Sequence, residues 1–540
     1  MQNTNLHNNH KLSAMKRRDF LKKSIPASVI LPSFINGFSI NAMGADNPLM
    51  QSLALPVTNT DHILVLVQLT GGNDGLNTII PLDKFSSYFN ARQNISLPEN
   101  KVLPLYGSDK VGIHPAMGGM QKMSMDGKLM VINAVGYPQP NFSHFRATDI
   151  WMSASDSNQL INSGWTGRYL NYEYPNFPTG YPNATMTDPL AIQIGSVTSM
   201  ALQGPQVSLG MSISNPNSFY SLLNGVQDPV PSTPAGKELS YIRQISQQTQ
   251  QYATVVKNAA NAVTTQVAYP TTNSLADQLK IVARLVKGGL KTRVYMVSYG
   301  SFDTHAAQVI SSDTTTGNHA NLLKNVSDAI KAFQDDLKFL DIEEKVVGMT
   351  FSEFGRRIKS NASTGTDHGA ASPMFVFGKN VLGGVLGTSP DIPINAGVND
   401  NVPYQYDFRS VYATLLANWL CVDPTALNQI MLKNYQTLPL VNTAVCRLSQ
   451  PNSSGNALII NSPNPFSDST TITFHTDGGH TLIQIIDATG RVIKNLIDAE
   501  YPTAGTYNVV FHGSTLQNGV YYARLQNMAT QQIRTMLKVR

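Results

Sequence analysis

Between about residues 60 and 446, the chain alternates continuous apolar runs with segments whose apolar residues recur at helical spacing. The apolar runs predict buried strands, and they are HILVLVQLT (62–70), LMVINAVG (129–136), AIQIG (191–195), TRVYMVSYG (292–300), KVVGMTFSE (345–353) and MFVFG (374–378). The helical spacing predicts helices at about 236–262, 273–289, 319–340 and 407–420, the last with Asp407 as its N-cap. Buried strands that alternate with helices predict an α/β domain over residues 60–446, with a mainly parallel sheet flanked by helices.

The pattern changes after Cys446. Residues 447–457 form a polar stretch that contains Pro and Gly, and this composition predicts a linker. From residue 458 to residue 540, short runs of alternating apolar and polar residues are separated by turns that contain glycine. This second pattern predicts a small C-terminal antiparallel β-sandwich.

The first 45 residues have the pattern of an export signal. Arg17 and Arg18 stand together, Phe20 and Leu21 follow them, and a moderately apolar run then leads to the small residues of NAMGA. The paired arginines resemble a twin-arginine signal, and the alternative is the basic start of a general export signal. No other segment has the roughly 20 apolar residues that cross a bilayer, so we expect no transmembrane helix in the mature protein.

Composition narrows the class of protein. The chain has 540 residues, which is too long for one ordinary domain, and its 42% hydrophobic and 14% charged content is that of a globular protein. The net charge of +5 is mild, and no basic run interleaved with aromatics follows the N-terminus, so we expect no nucleic-acid partner. The two cysteines, Cys421 and Cys446, exclude a four-cysteine zinc site and leave open whether they pair.

Polar residues follow the predicted strands at the positions where ligands bind in open α/β sheets. In chain order they are Asn73 and Asp74, then Ser143, His144 and Arg146, then Asp303 and His305, then Glu353 and Arg356, then Asp367 and His368, with His114 as a further candidate. Carboxylates and imidazoles together form a ligand set for a divalent ion. Each motif alone has a plainer explanation, because a lone Asp often caps a helix or a turn and His144 could serve as a hydrogen-bonding residue at a helix N-terminus.

The ordered motifs GGNDG, SHF, FDTH, SEFGR and GTDHG, behind a twin-arginine-like leader, resemble the bacterial family called domain of unknown function 1501. The resemblance covers roughly residues 60–445, and that family is regarded as related to sulfatases and alkaline phosphatases. It implies an alkaline-phosphatase-like α/β fold with a hydrolytic site that holds one or two divalent ions, such as Zn, Mn, Mg or Ca.

The resemblance also implies roles for individual residues. Asp303, His305 and His368 look like the ligands of one metal, and Asp74 and Glu353 look like further metal carboxylates. Ser143 stands in the place of the nucleophile, and Arg146 or Arg356 would hold the non-bridging oxygens of the substrate. The possible additional residues are Asn73, His114, His144 and Asp367.

The chain also departs from the superfamily pattern. Asp303 and His305 are two residues apart where alkaline phosphatases space such ligands by four, and Glu353 is followed by Phe354 where they have a histidine. The Cys/Ser-x-Pro-x-Arg signature of sulfatases is absent from the sequence. These departures put the second metal and true sulfatase chemistry in doubt.

The C-terminal segments SPNPFSDSTTITF, IIDATGRVIKNL, GTYNVVF and NGVYYARL resemble the type A sorting domain of the type IX secretion system. The resemblance implies passage across the outer membrane after export through the periplasm, with the secretion machinery as partner. The alternative is an ordinary carbohydrate-binding or immunoglobulin-like sandwich.

Two functions follow from these patterns. The first is a secreted or cell-surface hydrolase that uses a divalent metal to cleave phosphate or sulfate esters of a small molecule or a glycan. The second is a non-catalytic surface protein that keeps the fold and binds a glycan or a protein partner.

Overall fold

The computed structural model describes residues 58, 60–215 (except 176 and 179), 252–449 and 459–539 (except 477, 488–490 and 528–530), together with two short strands near the N-terminus. The chain divides into two compact units, residues 1–51 and 52–540. In the first unit, Ser33–Ile35 and Phe38–Ile40 pair antiparallel. Arg17 and Arg18 of the predicted export signal lie outside the described residues, as does most of the predicted helix at 236–262.

The main sheet has nine strands among the described residues. They are β1 (Ile63–Leu69), β2 (Leu129–Gly136), β3 (Ala191–Ile194), β4 (Gly210–Ile213), β5 (Val294–Tyr299), β6 (Val346–Phe351), β7 (Ser372–Gly378), β8 (Gly384–Leu386) and β9 (Tyr406–Asp407). Their order is β8-β2-β7-β6-β1-β5-β3-β4, and β9 pairs with the end of β2. Every pairing is parallel except those of β7, which runs antiparallel to both β6 and β2.

The six predicted strands are confirmed, and so is the mainly parallel sheet. β1 and β2 are buried at every position, as expected of strands that helices cover on both faces. The antiparallel direction of β7 was not predicted, because a buried apolar run reads the same in either direction. The short strands β4, β8 and β9 were also missed, since they contain too few residues for a periodic signal.

Helices cover both faces of the sheet. They are α1 (Phe85–Ala91), α2 (Gly118–Met125), α3 (His144–Ser153), α4 (Trp165–Glu173), α5 (Ser274–Lys287), α6 (Asn318–Phe339), α7 (Phe408–Thr414), α8 (Pro424–Met431) and α9 (Ala444–Ser449), with a further helical stretch at 252–261. Side chains of α3, α4, α7 and α8 pack on one face, and those of α2, α5 and α6 pack on the other. Asp407 caps α7 by accepting from the Arg409 N–H, as predicted, and the helix continues as a π-helix over Leu415–Trp419.

The C-terminal strands form two antiparallel sheets. One contains β10 (Ile459–Ser462), β11 (Ser469–Thr476) and β14 (Gly505–His512); the other contains β12 (Gly479–Asp487), β13 (Val492–Tyr501), β15 (Gly519–Asn527) and β16 (Gln531–Lys538). Ile472 and Phe474 of the first sheet pack with Ile483 and Ile485 of the second in one core, which confirms the predicted sandwich. The limits of the domains and of the linker stay predictions.

The two cysteines, whose pairing the sequence left open, form a disulfide between Cys421 and Cys446. The bond spans 25 residues of sequence and ties α9 to the end of the π-helix that follows α7. In the chain-entropy account, a disulfide that closes a loop of this length stabilises the folded protein by about 3.5 kcal/mol, because it restricts the unfolded chain. Within the described residues, no helix combines the length and the apolar character needed to cross a bilayer.

Candidate metal centre

The candidate site lies at one edge of the main sheet, where several strand ends meet. β1, β5 and β6 are neighbours and run parallel, so the residues after Leu69, Tyr299 and Phe351 reach the same edge. β7 runs the other way and therefore brings residues that precede it, including His368, to that edge. α3 begins close by at His144, eight residues after β2 ends. Most of the residues predicted for the site therefore lie at one edge of the sheet.

The two glycines of GGNDG permit the close approach of these loops. Gly71 has a φ of +119°, and a Cβ there would come within 2.4 Å of the backbone nitrogen of Asp303. Gly72 has a φ of +82°, and a Cβ there would meet the ring of Phe354 at 2.3 Å. Only glycine tolerates both the backbone conformation and the crowding, so the pair lets the loop after β1 pack against the loops after β5 and β6.

Three histidines surround the carboxylate of Asp303. Asp303 Oδ1 lies 3.1 Å from His305 Nε2 and 3.2 Å from His368 Nε2, and these two nitrogens are 2.9 Å apart. Asp303 Oδ2 lies 3.5 Å from His144 Nε2. One donor atom from each of His144, Asp303 and His368 lies within 4.8 Å of the others. The structure thus brings together three of the predicted ligands and adds His144, which was only a possible additional residue.

The other ring nitrogen of each histidine faces an oxygen atom. Nδ1 of His144 lies 2.9 Å from Glu353 Oε1, and Nδ1 of His305 lies 3.1 Å from Asp367 Oδ1. Nδ1 of His368 lies 2.8 Å from the carbonyl oxygen of residue 142. A carbonyl or an ionised carboxylate can only accept, so Nδ1 carries the proton in each of these hydrogen bonds. In the neutral rings the Nε2 lone pairs therefore point toward Asp303.

This donor set fits a metal ion. Nitrogen and oxygen ligands about 2.0–2.2 Å from a tetrahedral Zn²⁺ are about 3.3–3.6 Å apart, and the nitrogen–oxygen distances at Asp303, 3.1 and 3.2 Å to Oδ1 and 3.5 Å to Oδ2, are close to that range. Two unprotonated Nε2 atoms at 2.9 Å repel each other unless a cation or a proton lies between them. Metal-bound histidines usually donate their other N–H to a carboxylate or carbonyl oxygen, as all three do here.

The protonation states of Asp303 and His368 suit the binding of a cation. Burial acts to raise the pKa of Asp303, but the hydrogen bond and the charge of Arg356, together with His368 and His305, outweigh it and lower that pKa. Burial also lowers the pKa of His368, partly offset by the hydrogen bonds to the carbonyl of residue 142 and to Asp303. Both shifts favour an ionised carboxylate beside a neutral imidazole, which are the protonation states that bind a metal.

Glu353 lies behind His144. Its side chain is 4% exposed, and Oε1 accepts from the Gly71 N–H at 2.7 Å as well as from His144. The second oxygen accepts from the hydroxyl of Ser352 at 3.3 Å. The carboxylate of Glu353 thus orients one histidine of the centre and ties it to the GGNDG loop.

Asp74 lies in a different environment. It is fully buried, both of its oxygens accept from Arg92 Nη1 at 2.9 Å, and Oδ2 also accepts from Gln308 at 2.6 Å. Burial would raise the pKa of Asp74, but the charge of Arg92 is the main opposing effect and the pKa is lowered overall. The structure therefore places this carboxylate in an internal ion pair instead of at the metal centre.

Asn73 and His114 also point into the interior. The amide of Asn73 donates to Thr78, and its oxygen lies 3.0 Å from Nε2 of the buried His319. His114 accepts from the Ala116 N–H, and its ring meets that of His319 edge to face. Burial is the main cause that lowers the pKa of His114 to about 3 and that of His319 to about 4, so both are neutral near pH 7.

Both predicted substrate arginines already have partners in the protein. Arg146 donates to the backbone carbonyls of residues 156, 157 and 159. Arg356 is 1% exposed and donates to the carbonyls of residues 71, 72, 302 and 366 and to Asp303. Ser143 is exposed at the N-cap of α3, and its side chain makes no capping hydrogen bond.

An open pocket of about 490 Å³ adjoins the centre. Its wall includes His144, Asp303 and Glu353, and the other side chains that line it are Gln68, Thr70, Phe145, Thr148, Asp149 and Ser301. None of these six was predicted as a site residue from the sequence. A signal existed only for Gln68, which is the polar residue inside the apolar run HILVLVQLT, because the others lie in loops or on a helix where polar residues are ordinary.

The comparisons with known proteins agree with the recognised motifs. The model of the family described as "Protein of unknown function (DUF1501)" matches residues 62–429, so the chain belongs to that family. The model of the "Secretion system C-terminal sorting domain" matches residues 462–539. This type IX sorting tail indicates export, with surface or extracellular localisation, and makes the secretion machinery a partner. No curated protein matches the chain significantly.

Solved structures that the chain matches include sulfatases and members of the alkaline phosphatase superfamily. The PsFucS1 sulfatase from Pseudoalteromonas sp. is 10% identical with a TM-score of 0.28, and the match covers 87% of this chain and 88% of that one. A protein in the alkaline phosphatase superfamily from Vibrio parahaemolyticus is 9% identical with a TM-score of 0.29, covering 90% and 85%. Alkaline phosphatase from the Antarctic bacterium TAB5 is 11% identical with a TM-score of 0.27, covering 70% and 99%. These similarities are weak.

Proposed function

We propose that the protein is an exported, metal-dependent hydrolase of phosphate or sulfate esters. The observation that carries the proposal is the convergence of three histidine Nε2 atoms on the carboxylate of Asp303, each with its Nδ1 held by an oxygen. Without a metal ion or an added proton, the unpaired lone pairs of these histidines would face one another and destabilise the set.

The residues that would hold the ion are His144, Asp303, His305 and His368. Three imidazoles with one carboxylate suit Zn²⁺ or Mn²⁺ better than Mg²⁺ or Ca²⁺, which prefer oxygen ligands. We propose one ion per chain, because the carboxylates of Asp74 and Glu353 that a second ion would need are engaged elsewhere. When bound, a divalent ion supplies Lewis-acid chemistry that neutralises charge on the non-bridging oxygens of the ester.

Ser143 is the proposed nucleophile. It precedes α3 at the helix N-terminus, where the exposed N–H groups of the first turn and the helix dipole favour an anionic ester. As its Oγ forms a bond to phosphorus or sulfur, the bond to the leaving alcohol breaks, and the hydroxyl proton passes to that alcohol directly or through solvent. Water then displaces Ser143 from the intermediate and restores the hydroxyl.

A panel of esters tests the proposal. We expect the full chain supplied with Zn²⁺ or Mn²⁺ to hydrolyse at least one of p-nitrophenyl phosphate, bis-p-nitrophenyl phosphate and p-nitrophenyl sulfate, and a chelator to stop the reaction. The Ser143→Ala variant should retain its metal and lose turnover by on the order of 10²-fold or more. Release of p-nitrophenol gives the rate, and elemental analysis gives the metal content.

The alternative of a non-catalytic binding protein has one observation in its favour, since Arg146 and Arg356 are both engaged by the protein. A metal-loaded chain that hydrolyses none of the three esters would contradict the hydrolase and support this alternative. Equal turnover by Ser143→Ala and the native chain would instead contradict only the nucleophile.

Glu353→Gln tests whether Glu353 orients His144 or is itself a ligand. The amide keeps an oxygen that can accept from His144 but loses the charge, so we expect the affinity for Zn²⁺ to fall by about 10–100-fold with the fold intact. Isothermal titration measures the affinity, and circular dichroism checks the fold. A matched control is Glu344→Gln, since Glu344 pairs with Lys379 at the surface and should not affect Zn²⁺ binding.

The size of the effect decides the role. A loss of affinity as large as that of His368→Ala would show that Glu353 is a metal ligand, as the family resemblance implies, and would contradict the orienting role.

A further inference from the structure

We propose that the pocket beside the metal centre binds an uncharged sugar ring of the substrate, and that Gln68 and Phe145 recognise it. The inference deepens the proposed function, because it names the chemistry of the alcohol part of the ester. The pocket has about 490 Å³ of open space and shares His144, Asp303 and Glu353 with the centre. An ester group on a sugar ring held there would lie beside the candidate metal centre.

Two elements of the fold build the pocket. Gln68 and Thr70 are two residues apart at the end of β1, so their side chains point to the same face of the chain. Phe145, Thr148 and Asp149 are spaced three and four residues apart on α3 and therefore share one face of that helix. The pocket thus lies between the sheet edge and the first turns of α3.

Gln68 is the strongest sign of a ligand. Its side chain is 8% exposed and lines the pocket, yet its amide forms no hydrogen bond with any residue that the structure describes. A ligand with hydroxyl groups would pair with both ends of this amide, because one amide both donates and accepts.

The neighbouring polar side chains are also free to bind. Among the described residues, no hydrogen-bond partner is found for the side chains of Thr70, Thr148, Asp149 and Ser301. The side chains next to the metal centre are, by contrast, engaged in specific hydrogen bonds. A set of hydroxyl, amide and carboxylate groups at the pocket wall matches the several hydroxyl groups of a sugar.

Phe145 supplies the apolar surface that a sugar ring also needs. Its side chain is 88% exposed at the rim of the pocket, although it lies next to the buried turn of α3. The electron-rich face of an aromatic ring attracts polarised C–H groups, which one face of a sugar presents.

The charge of the pocket excludes a highly anionic ligand. No Lys or Arg lines the wall among the described residues, whereas Asp149, Asp303 and Glu353 do. Carboxylates repel sulfate or phosphate groups that would sit in the pocket itself. The anionic ester group would lie at the metal centre, and the part held by Gln68 and Phe145 would be uncharged.

Binding of sugars that carry no ester tests the inference without requiring turnover. The full chain is titrated with cellotetraose, maltotetraose, xylotetraose and galactotetraose, with adenosine and a sulfated tetrasaccharide for comparison, and saturation-transfer NMR detects binding. We expect at least one neutral tetrasaccharide to bind. Phe145→Ala and Gln68→Met should each weaken that binding by about tenfold, since each removes one recognition group. Phe339→Ala is the matched control, because Phe339 is 57% exposed on α6 and does not line the pocket.

The remaining outcomes overturn the inference. They are binding to none of the neutral sugars, binding only to adenosine or to the sulfated tetrasaccharide, and binding that survives both Phe145→Ala and Gln68→Met. The result is separable from the proposed function. A chain that binds neutral sugars but cleaves no ester keeps the sugar-binding pocket and loses both the hydrolase and the sugar's place in an ester substrate. A chain that cleaves aryl esters but binds no sugar keeps the hydrolase and loses the sugar-binding pocket.

Discussion

Replacing both His305 and His368 with alanine should abolish metal binding and ester hydrolysis together. The two Nε2 atoms lie 2.9 Å apart beside Asp303, and their removal leaves one carboxylate and His144 to hold the ion. We expect the zinc content to fall from about one ion per chain to background, and turnover to fall by on the order of 10³-fold. Elemental analysis of the purified chain and p-nitrophenol release measure the two effects.

Removing a histidine far from the candidate metal centre should change neither the zinc content nor the turnover. His512 is exposed at the end of β14, in the C-terminal sandwich, and His512→Ala is the matched control. Circular dichroism and the thermal midpoint should show that the double variant remains folded, because His305 lies in a loop and His368 in a two-residue strand, His368–Gly369, outside the main sheet. A double variant that keeps both its zinc and its turnover would refute the metal centre as assigned.

Removing Arg92 should have the largest effect on stability. Arg92 is fully buried and donates to both oxygens of Asp74, to Asn77 and to the carbonyls of residues 357 and 358. Arg92→Met leaves the carboxylate of Asp74 buried with only Gln308 as a hydrogen-bond donor, and we expect a loss of about 3–5 kcal/mol of unfolding free energy. Urea denaturation measures the loss.

The exposed pair between Lys84 and Asp391 provides the control, since its breakage by Lys84→Met should change the stability little. Asp74→Asn separates the two roles of that carboxylate. It should destabilise the protein by leaving Arg92 unpaired, while the zinc content stays the same. A folded Asp74→Asn variant that loses its zinc would show that Asp74 is a ligand, as the family resemblance implies.

Acid should act on the same ion pair. The pKa of Asp74 is lowered in the folded protein, so its contribution to stability is present above the ordinary pKa of an aspartate, about 3.9. That contribution is lost as the pH falls from this value through the lowered pKa.

Most of the residues that meet at the candidate metal centre could be named from the sequence, because strand ends in a parallel sheet share an edge. The motifs after β5 and β6 needed only that rule, and they carry Asp303, His305 and Glu353. His368 satisfied the rule for a different reason, since it precedes an antiparallel strand that begins at the same edge. The backbone of Asp74 lies at this edge as the rule predicts, but its side chain points into the interior and pairs with Arg92.

The position of the Asp74 side chain could not be predicted because its partner, Arg92, could not be predicted. Arg92 lies just after α1 and 18 residues after Asp74 in the chain, and nothing in the sequence pattern links it to the GGNDG loop. The histidine tautomers are a second example. They depend on oxygens of Glu353, Asp367 and residue 142, which approach His144, His305 and His368 from distant parts of the chain.

The sequence by itself determined the α/β class, the buried strands, the C-terminal sandwich, the sorting tail and the set of motifs that carry carboxylates and imidazoles. These features depend on local periodicity and on residue type, which are visible along the chain. Only the tertiary structure decided which side chains point at Asp303, which arginines are engaged by the backbone, and which polar groups, such as Gln68, have no partner among the residues that the structure describes. Those outcomes depend on contacts between residues far apart in the chain, because hydrogen bonds and ion pairs form in space and leave no periodic trace in the sequence.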